Sequence, residues 1–229
     1  MKKEMPGANR DERVIEGFGA EWDRFDQQAL GDEERQAIFR DYFAIFPWAD
    51  LPSGAAGADV GCGSGRWARV VAPRVGVLHC VEPAPEAMAV ARRALDGMAN
   101  VRFHPCGVND MPFADASLDF AYSLGVLHHV PDTADAIRRI AEKLKPGAPF
   151  LVYLYYAFDN RPVWFRAIWR ASDLLRRVVC RLPNRLRFLV CEAIAALVYW
   201  PLARTAALLD RAGVPTASFP LAYYRDKSY

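Results

Sequence analysis

The stretch ADVGCGSGRWARVV, residues 58–71, decides the fold: Asp59 ends an apolar run, Gly61, Gly63 and Gly65 form a turn, and Trp67 to Val71 begin a helix. A sharp strand-to-helix turn uses backbone angles closed to other residues, and a missing Cβ lets the main chain approach a ligand closely. The next apolar run lies in VLHCVEPAPEAM, residues 77–88, and has Glu82 at its end, 23 residues beyond Asp59. An acid at that place can accept hydrogen bonds from both hydroxyls of a ribose. The triplet reads GxGxG, with Arg66 where the dinucleotide fingerprint GxGxxG needs glycine. An acid beside the turn would also repel a pyrophosphate and attract an ammonium, so spacing and charge both disfavour a nicotinamide cofactor.

Outward from this unit, residues 55–156 alternate short apolar runs with helical patterns, the signature of βαβ units and a mostly parallel sheet. Five strands are expected, at Ala55 to Val60, Val77 to Val81, Val101 to His104, Leu118 to Ser123 and Phe150 to Tyr155. Ahead of them, Glu33 to Phe46 places Ile38, Tyr42, Ile45 and Phe46 at helical spacing up to Pro47 and predicts an amphipathic helix beside the sheet. Phe18, Trp22 and Phe25 suggest a short helix or turn with one aromatic face, read as packing. After the fifth strand the alternation stops, and Pro162 to Ala212 is a helical stretch punctuated by Pro183 and Pro201.

The fold class expected is therefore α/β, a Rossmann-like doubly wound, mostly parallel sheet with helices on both faces and a helical cap inserted after the fifth strand. Its parts are N-terminal helices over residues 1–50, a core over 51–158, a cap over 159–212, and a strand or tail over 213–229. A chain of 229 residues hides roughly 70 to 75% of its unfolded surface and needs neither disulfides nor a structural metal to fold. The five cysteines are scattered, never spaced CxxC, and fit a reducing compartment. His79 with Cys80, and His104 with Cys106, lack a third ligand at usable spacing, so no metal is expected. The N-terminus MKKEMPGANRDERVIEG has no apolar stretch behind its basic residues and does not read as a signal peptide. A cytoplasmic location is expected.

The formal charge of +2 conceals an uneven distribution: from Arg161 to Arg187 there are eight arginines and one acid, Asp173. On a helix through this segment Phe165, Ile168, Trp169, Ser172, Leu175 and Val179 share a face, with Arg166, Arg170, Asp173, Arg177 and Arg181 elsewhere. Such a basic amphipathic helix can cover a site, lie on an anionic membrane, or grip phosphates. The following FLVCEAIAALVYWPLARTAALL is apolar enough to raise a membrane span, yet Glu192, Pro201 and Arg204 interrupt it. It is read as buried or interfacial, leaving peripheral membrane contact through residues 161–209 open, and with it membrane association of a cytoplasmic protein.

DVGCGSG, the acid of VEP, NDMPFADASLDF, GVLHHV and LKPGAPFLV together resemble the successive motifs of the class I S-adenosylmethionine-dependent methyltransferases, particularly the ubiquinone and menaquinone methyltransferase group. The resemblance covers roughly Ala55 to Tyr155. It implies S-adenosyl-L-methionine as cofactor, with Gly61, Cys62, Gly63 and Gly65 along its methionine and ribose portions, Asp59 on the amino group and Glu82 on the ribose hydroxyls. Pro83 and Met88 would flank the adenine, and Ser123 would close the set. Many relatives carry an acid ahead of the Pro112–Phe113 pair to bind the adenine amino group. Here Gly107 or its neighbours stand there, with Val108 offering a backbone contact and Asn109 and Asp110 as polar substitutes. The fourth strand and its loop, SLDFAYSLGVLHHVPD, would face the acceptor, and the absence of an (N/D)PP(Y/F) motif disfavours methylation of nucleic-acid amino groups.

His128 and His129 are the candidate bases, since a neutral imidazole takes a proton from a hydroxyl near neutral pH. One histidine of this pattern often only orients the loop. The expected function is methyl transfer to a small-molecule or lipid-linked acceptor, oxygen slightly ahead of carbon. The class usually completes its sheet with a sixth strand and an antiparallel seventh, for which little sequence follows the cap. The alternatives are a non-catalytic or RNA-binding protein on the same fold, although nucleic acid is not the expected partner, and a nicotinamide-dependent oxidoreductase. The oligomeric state is left open.

Overall fold

Five parallel strands, β1 (Ala56–Val60), β2 (Val77–Val81), β3 (Val101–His104), β4 (Phe120–Leu124) and β5 (Phe150–Tyr153), form one sheet in the order β3-β2-β1-β4-β5. The computed structural model describes residues 9–24, 31–155, 158 and 160–216. Strands and sequence expectation agree to within two residues at each end; Leu118 makes only an isolated bridge to Leu144 before β4 begins. The register sets Asp59 beside Cys80 on one side and Tyr122 on the other, with Ala58 beside His79 and Ala121.

Because successive side chains alternate across a sheet, two apolar cores form. One holds Phe39, Phe43, Phe46, Trp67, Val71, Leu78, Phe120 and Tyr122; the other holds Ala58, Val60, Val81, Val108, Leu118, Leu127, Ala136 and Ile140. Helices α2 (Asp32–Tyr42), α3 (Ala68–Val71) and α4 (Pro85–Ala94) contribute to the first core or flank it, and α5 (Thr133–Lys143) covers the second. The doubly wound architecture expected from the alternation is therefore the observed one.

The α2 helix ends at Tyr42, four residues short of the expected Phe46. The chain turns there, Phe46 N donating to Phe43 O, so that Phe43 packs edge-on against Tyr122 and Phe46 against Phe120. Ile45, expected on the apolar face, is instead 84% exposed. Ahead of α2 lies a helix the sequence reading saw only in part, α1 (Glu12–Arg24), with Asp11 Oδ1 accepting from Arg13 N and Val14 N at its start. It packs on α4, where a Cβ on Gly19 would come within 2.5 Å of Glu86 Oε2. Of the aromatic face expected of Phe18, Trp22 and Phe25, the Trp22 side chain and Phe25 lie outside what the structure describes.

The chain divides into two compact units, Met1–Tyr155 and Tyr156–Tyr229. The second contains α6 (Val163–Val179), α7 (Asn184–Ile194) and α8 (Trp200–Arg211). Pro183 starts α7, as expected of a helix breaker. Pro201 interrupts nothing, because residues Ala195–Tyr199 adopt a π turn that runs α7 directly into α8. A proline has no N–H to donate and its ring crowds the preceding carbonyls, and a π turn relieves both. The strand or tail expected at 213–229 lies mostly outside the described residues.

Candidate functional site

A cleft of about 1030 Å³, including its open mouth, lies at the carboxyl ends of β1, β2 and β4. The strand order reverses between β1 and β4, and such a switch point is where open α/β sheets bind ligands. Val60, Gly61, Cys62, Gly63, Ser64, Arg66 and Trp67 form its floor; Val81, Glu82 and Pro83 form one side; Cys106, Gly107 and Val108 another; and Leu124 to Leu127 with His129 and Val130 the third.

The turn after β1 is held by Gly61 N and Cys62 N, which both donate to Val81 O. Gly61 has φ +79°, and a Cβ there would meet Val126 Cγ1 at 2.4 Å. The loop after β4 therefore closes directly over a bare backbone. Glu82, 8% exposed, ties this turn to its own strand: its carboxylate accepts from Gly63 N and Ala84 N, both at 3.0 Å. Burial pushes its pKa up, against the pull of those two N–H groups. Each carboxylate oxygen keeps a second lone pair, so the group can still accept from a diol in the cleft. A bare glycine floor, a fixed carboxylate and an apolar wall of Val81, Pro83 and Val108 fit a nucleoside.

Of the cofactor contacts expected from the sequence, Gly61, Cys62, Gly63, Glu82, Pro83 and Val108 line the cleft, and so does His129. Gly65, Asp59, Met88, Asn109, Ser123 and His128 lie outside its wall. Gly65 serves packing, since a Cβ there would meet Leu95 Cδ1 at 3.0 Å and Ala91 Cα at 3.4 Å. Asp59 is buried and accepts from Tyr122 Oη at 3.0 Å. Burial pushes its pKa up to about 7, the Tyr122 hydroxyl opposing, the Glu82 charge adding and Arg66 opposing. Met88 is buried in the first turns of α4, and Asn109 sits in a 3-10 turn after β3. Ser123 is fully buried and donates to Val60 O at 2.8 Å, stitching β4 to β1.

The two histidines separate in the same way. His128 packs between His129 (4.1 Å between ring centroids) and Tyr155 (4.2 Å). Its ring nitrogens are buried without hydrogen-bond partners among the described residues, and burial lowers its pKa. His129 reaches the cleft, with Phe18 edge-on at 4.8 Å. His79 and His104 instead pair with each other, Nδ1 to Nε2 at 2.9 Å, against Phe113. Among the described residues no three His, Cys, Asp or Glu side chains converge as metal ligands do.

The sequence reading missed the fourth side of the cleft, made by Asn9, Arg10, Asp11, Val14, Ile15 and Phe18. Asn9 Nδ2 donates to Asp132 O at 2.6 Å, and Asp132 N donates to Asn9 Oδ1 at 2.7 Å, linking the start of α1 to the cap of α5. The available signal was Asp11 as a helix cap followed by Val14, Ile15 and Phe18 on one helical face.

Residues 58–152 match the family described as "Methyltransferase domain". The chain is 31% identical over 111 residues to phosphoethanolamine N-methyltransferase 2 of Caenorhabditis elegans, covering 47% of this chain and 25% of that one. It is 36% identical over 98 residues to the ubiquinone biosynthesis O-methyltransferase of Xanthomonas axonopodis pv. citri (strain 306), covering 42% and 41%. The crystal structure of the YcgJ protein from Bacillus subtilis is similar at 26% identity and a TM-score of 0.48, covering 57% and 54%. The chain spans less than half the length of these two curated relatives.

Proposed function

We propose that the chain, whose residues 58–152 match a methyltransferase-domain family, is a class I S-adenosylmethionine-dependent methyltransferase that moves a methyl group from S-adenosyl-L-methionine to a small-molecule or lipid-linked acceptor in the cytoplasm. The observation that carries this reading is the Glu82 carboxylate, fixed by Gly63 N and Ala84 N at the rim of a glycine floor. Glu82 would accept from both ribose hydroxyls, Pro83 and Val108 would flank the adenine, and Gly61 and Gly63 would admit the ribose and methionine portions. Arg66 in place of a third fingerprint glycine argues against a pyrophosphate-bearing cofactor.

The bound sulfonium supplies an already activated methyl group. The protein's own contribution is then to hold the acceptor in line and exclude water, which is worth roughly 7 to 11 kcal/mol against a typical 10² to 10⁴-fold from a general base. The wall formed by Val14, Ile15 and Phe18 serves that exclusion. We assign the proton-accepting role to His129, which reaches the cleft, and leave His128 the orienting one. Oxygen stands ahead of carbon as the atom methylated, since an imidazole is matched to a hydroxyl proton.

The test is release of S-adenosylhomocysteine from labelled S-adenosylmethionine across a panel of phenols, amino alcohols and lipid-linked acceptors. Acceptor-dependent release with label in the product supports the proposal. Binding of the donor with turnover on none of them, but transfer to RNA, would overturn the acceptor class.

A further inference from the structure

The second unit leaves an unusual amount of apolar surface in water. On α6, Trp164, Ile168, Leu175 and Val178 are each more than half exposed. Their spacings of four, seven and three residues place them on one helical face. In the continuous helix Arg185–Arg211, the most apolar 18-residue window is only 6% buried, so it is no core helix. Leu189, Leu197 and Leu208 each stand more than 60% exposed along it.

This surface is also strongly basic. Residues 160–216 carry ten arginines and no lysine against Asp173, Glu192 and Asp210, a formal +7. On α6, Arg166, Arg170 and Arg177 line the side away from the apolar stripe, an arrangement suited to a helix lying in a bilayer interface. We propose that this unit docks on the surface of a membrane bearing anionic phospholipids, its apolar stripes entering the acyl boundary and its arginines meeting the headgroups.

Charge selects this occupant over the alternatives. A second copy would bring a surface of the same sign against this one, and like charges at an interface oppose association. A nucleic acid would suit the arginines but not the exposed tryptophan and leucines. The helix Arg185–Arg211, at 27 residues, is about 40 Å long and could cross a bilayer, yet Glu192 and Arg204 fall within it, so the interface is its place.

The full chain is sedimented with neutral phosphatidylcholine vesicles and with vesicles containing phosphatidylglycerol. The proposal expects at least tenfold tighter partition onto the anionic vesicles, weakened in about 1 M salt, where charges are screened beyond about 3 Å, and full release by alkaline carbonate. The pair Arg166→Gln and Arg170→Gln should weaken binding about 30-fold, since each basic residue near an anionic surface contributes about fivefold. Ile168→Asp with Leu175→Asp should abolish it. S-adenosylhomocysteine affinity, read separately on each variant, reports that the first unit remains folded and keeps the cofactor reading independent of the membrane one. Equal partition to both vesicles, none to either, a carbonate-resistant pellet, or a concentration-dependent dimer that does not sediment would each overturn the proposal.

Discussion

Asp59→Asn should remove the pH dependence of one part of the protein's stability. The Asp59 carboxyl is 2% exposed, faces Tyr122 Oη at 3.0 Å, and has a pKa raised by burial from 3.8 to about 7. Between those values the folded chain holds a proton that the unfolded chain releases. The stability this gives is complete below 3.8 and is lost as pH rises through about 7, because stability falls with pH wherever the native state binds more protons. About three pH units at 1.36 kcal/mol each make the full loss about 4 kcal/mol. Asparagine cannot ionise, and its amide oxygen can still accept from Tyr122. Any fixed cost of placing the amide is the same at every pH, so the slope is the diagnostic. Urea unfolding of both proteins from pH 4 to 8.5 should show the variant gaining about 2 to 4 kcal/mol on the wild type as pH rises. A difference that stays flat across that range would refute the assignment of a protonated, buried Asp59.

Gly61→Ala should cost about 2 to 5 kcal/mol, combining a left-handed alanine with a clash against Val126; adding Val126→Ala should recover the clash part alone, as read by thermal unfolding of the single and double variants. Asn9→Ala removes both hydrogen bonds to Asp132 and should weaken S-adenosylhomocysteine binding about fivefold, mainly through a faster off-rate measured by stopped flow; an unchanged rate would mean that the α1 wall does not gate the cleft. His129→Phe should lower kcat by about 10² or more, whereas His128→Phe should stay within about threefold, because only His129 reaches the cleft; steady-state kinetics on any accepted acceptor decides between them.

The sheet was legible because its signals are local. Apolar runs of four to six residues separated by helical spacing marked every strand, and the glycine turn with Glu82 located the cleft. What the sequence concealed depends on partners far along the chain. Asp59 and Tyr122 are 63 residues apart and meet only through the β1–β4 register, so the phenol that donates to this acid could not be read from the sequence around it. Gly65 reads as part of the ligand floor, and the close approach of Leu95 and Ala91 to it was not legible. Ile45 and Phe46 fit a helical pattern and still lie beyond the end of the helix at Tyr42, where Pro47 disfavours helical backbone just before it and Phe46 turns onto Phe120. The wall of Asn9 to Phe18 was the largest omission, since a short amphipathic helix near a terminus does not announce what it covers.

The central claim is the identity of the ligand in the cleft, and calorimetric titration of the purified chain with S-adenosylhomocysteine, run beside NADH and repeated with Glu82→Gln, tests it most directly. Micromolar binding of S-adenosylhomocysteine alone, weakened at least tenfold by the loss of the Glu82 charge, is the expected result. Binding of NADH, or S-adenosylhomocysteine binding indifferent to Glu82, would contradict it.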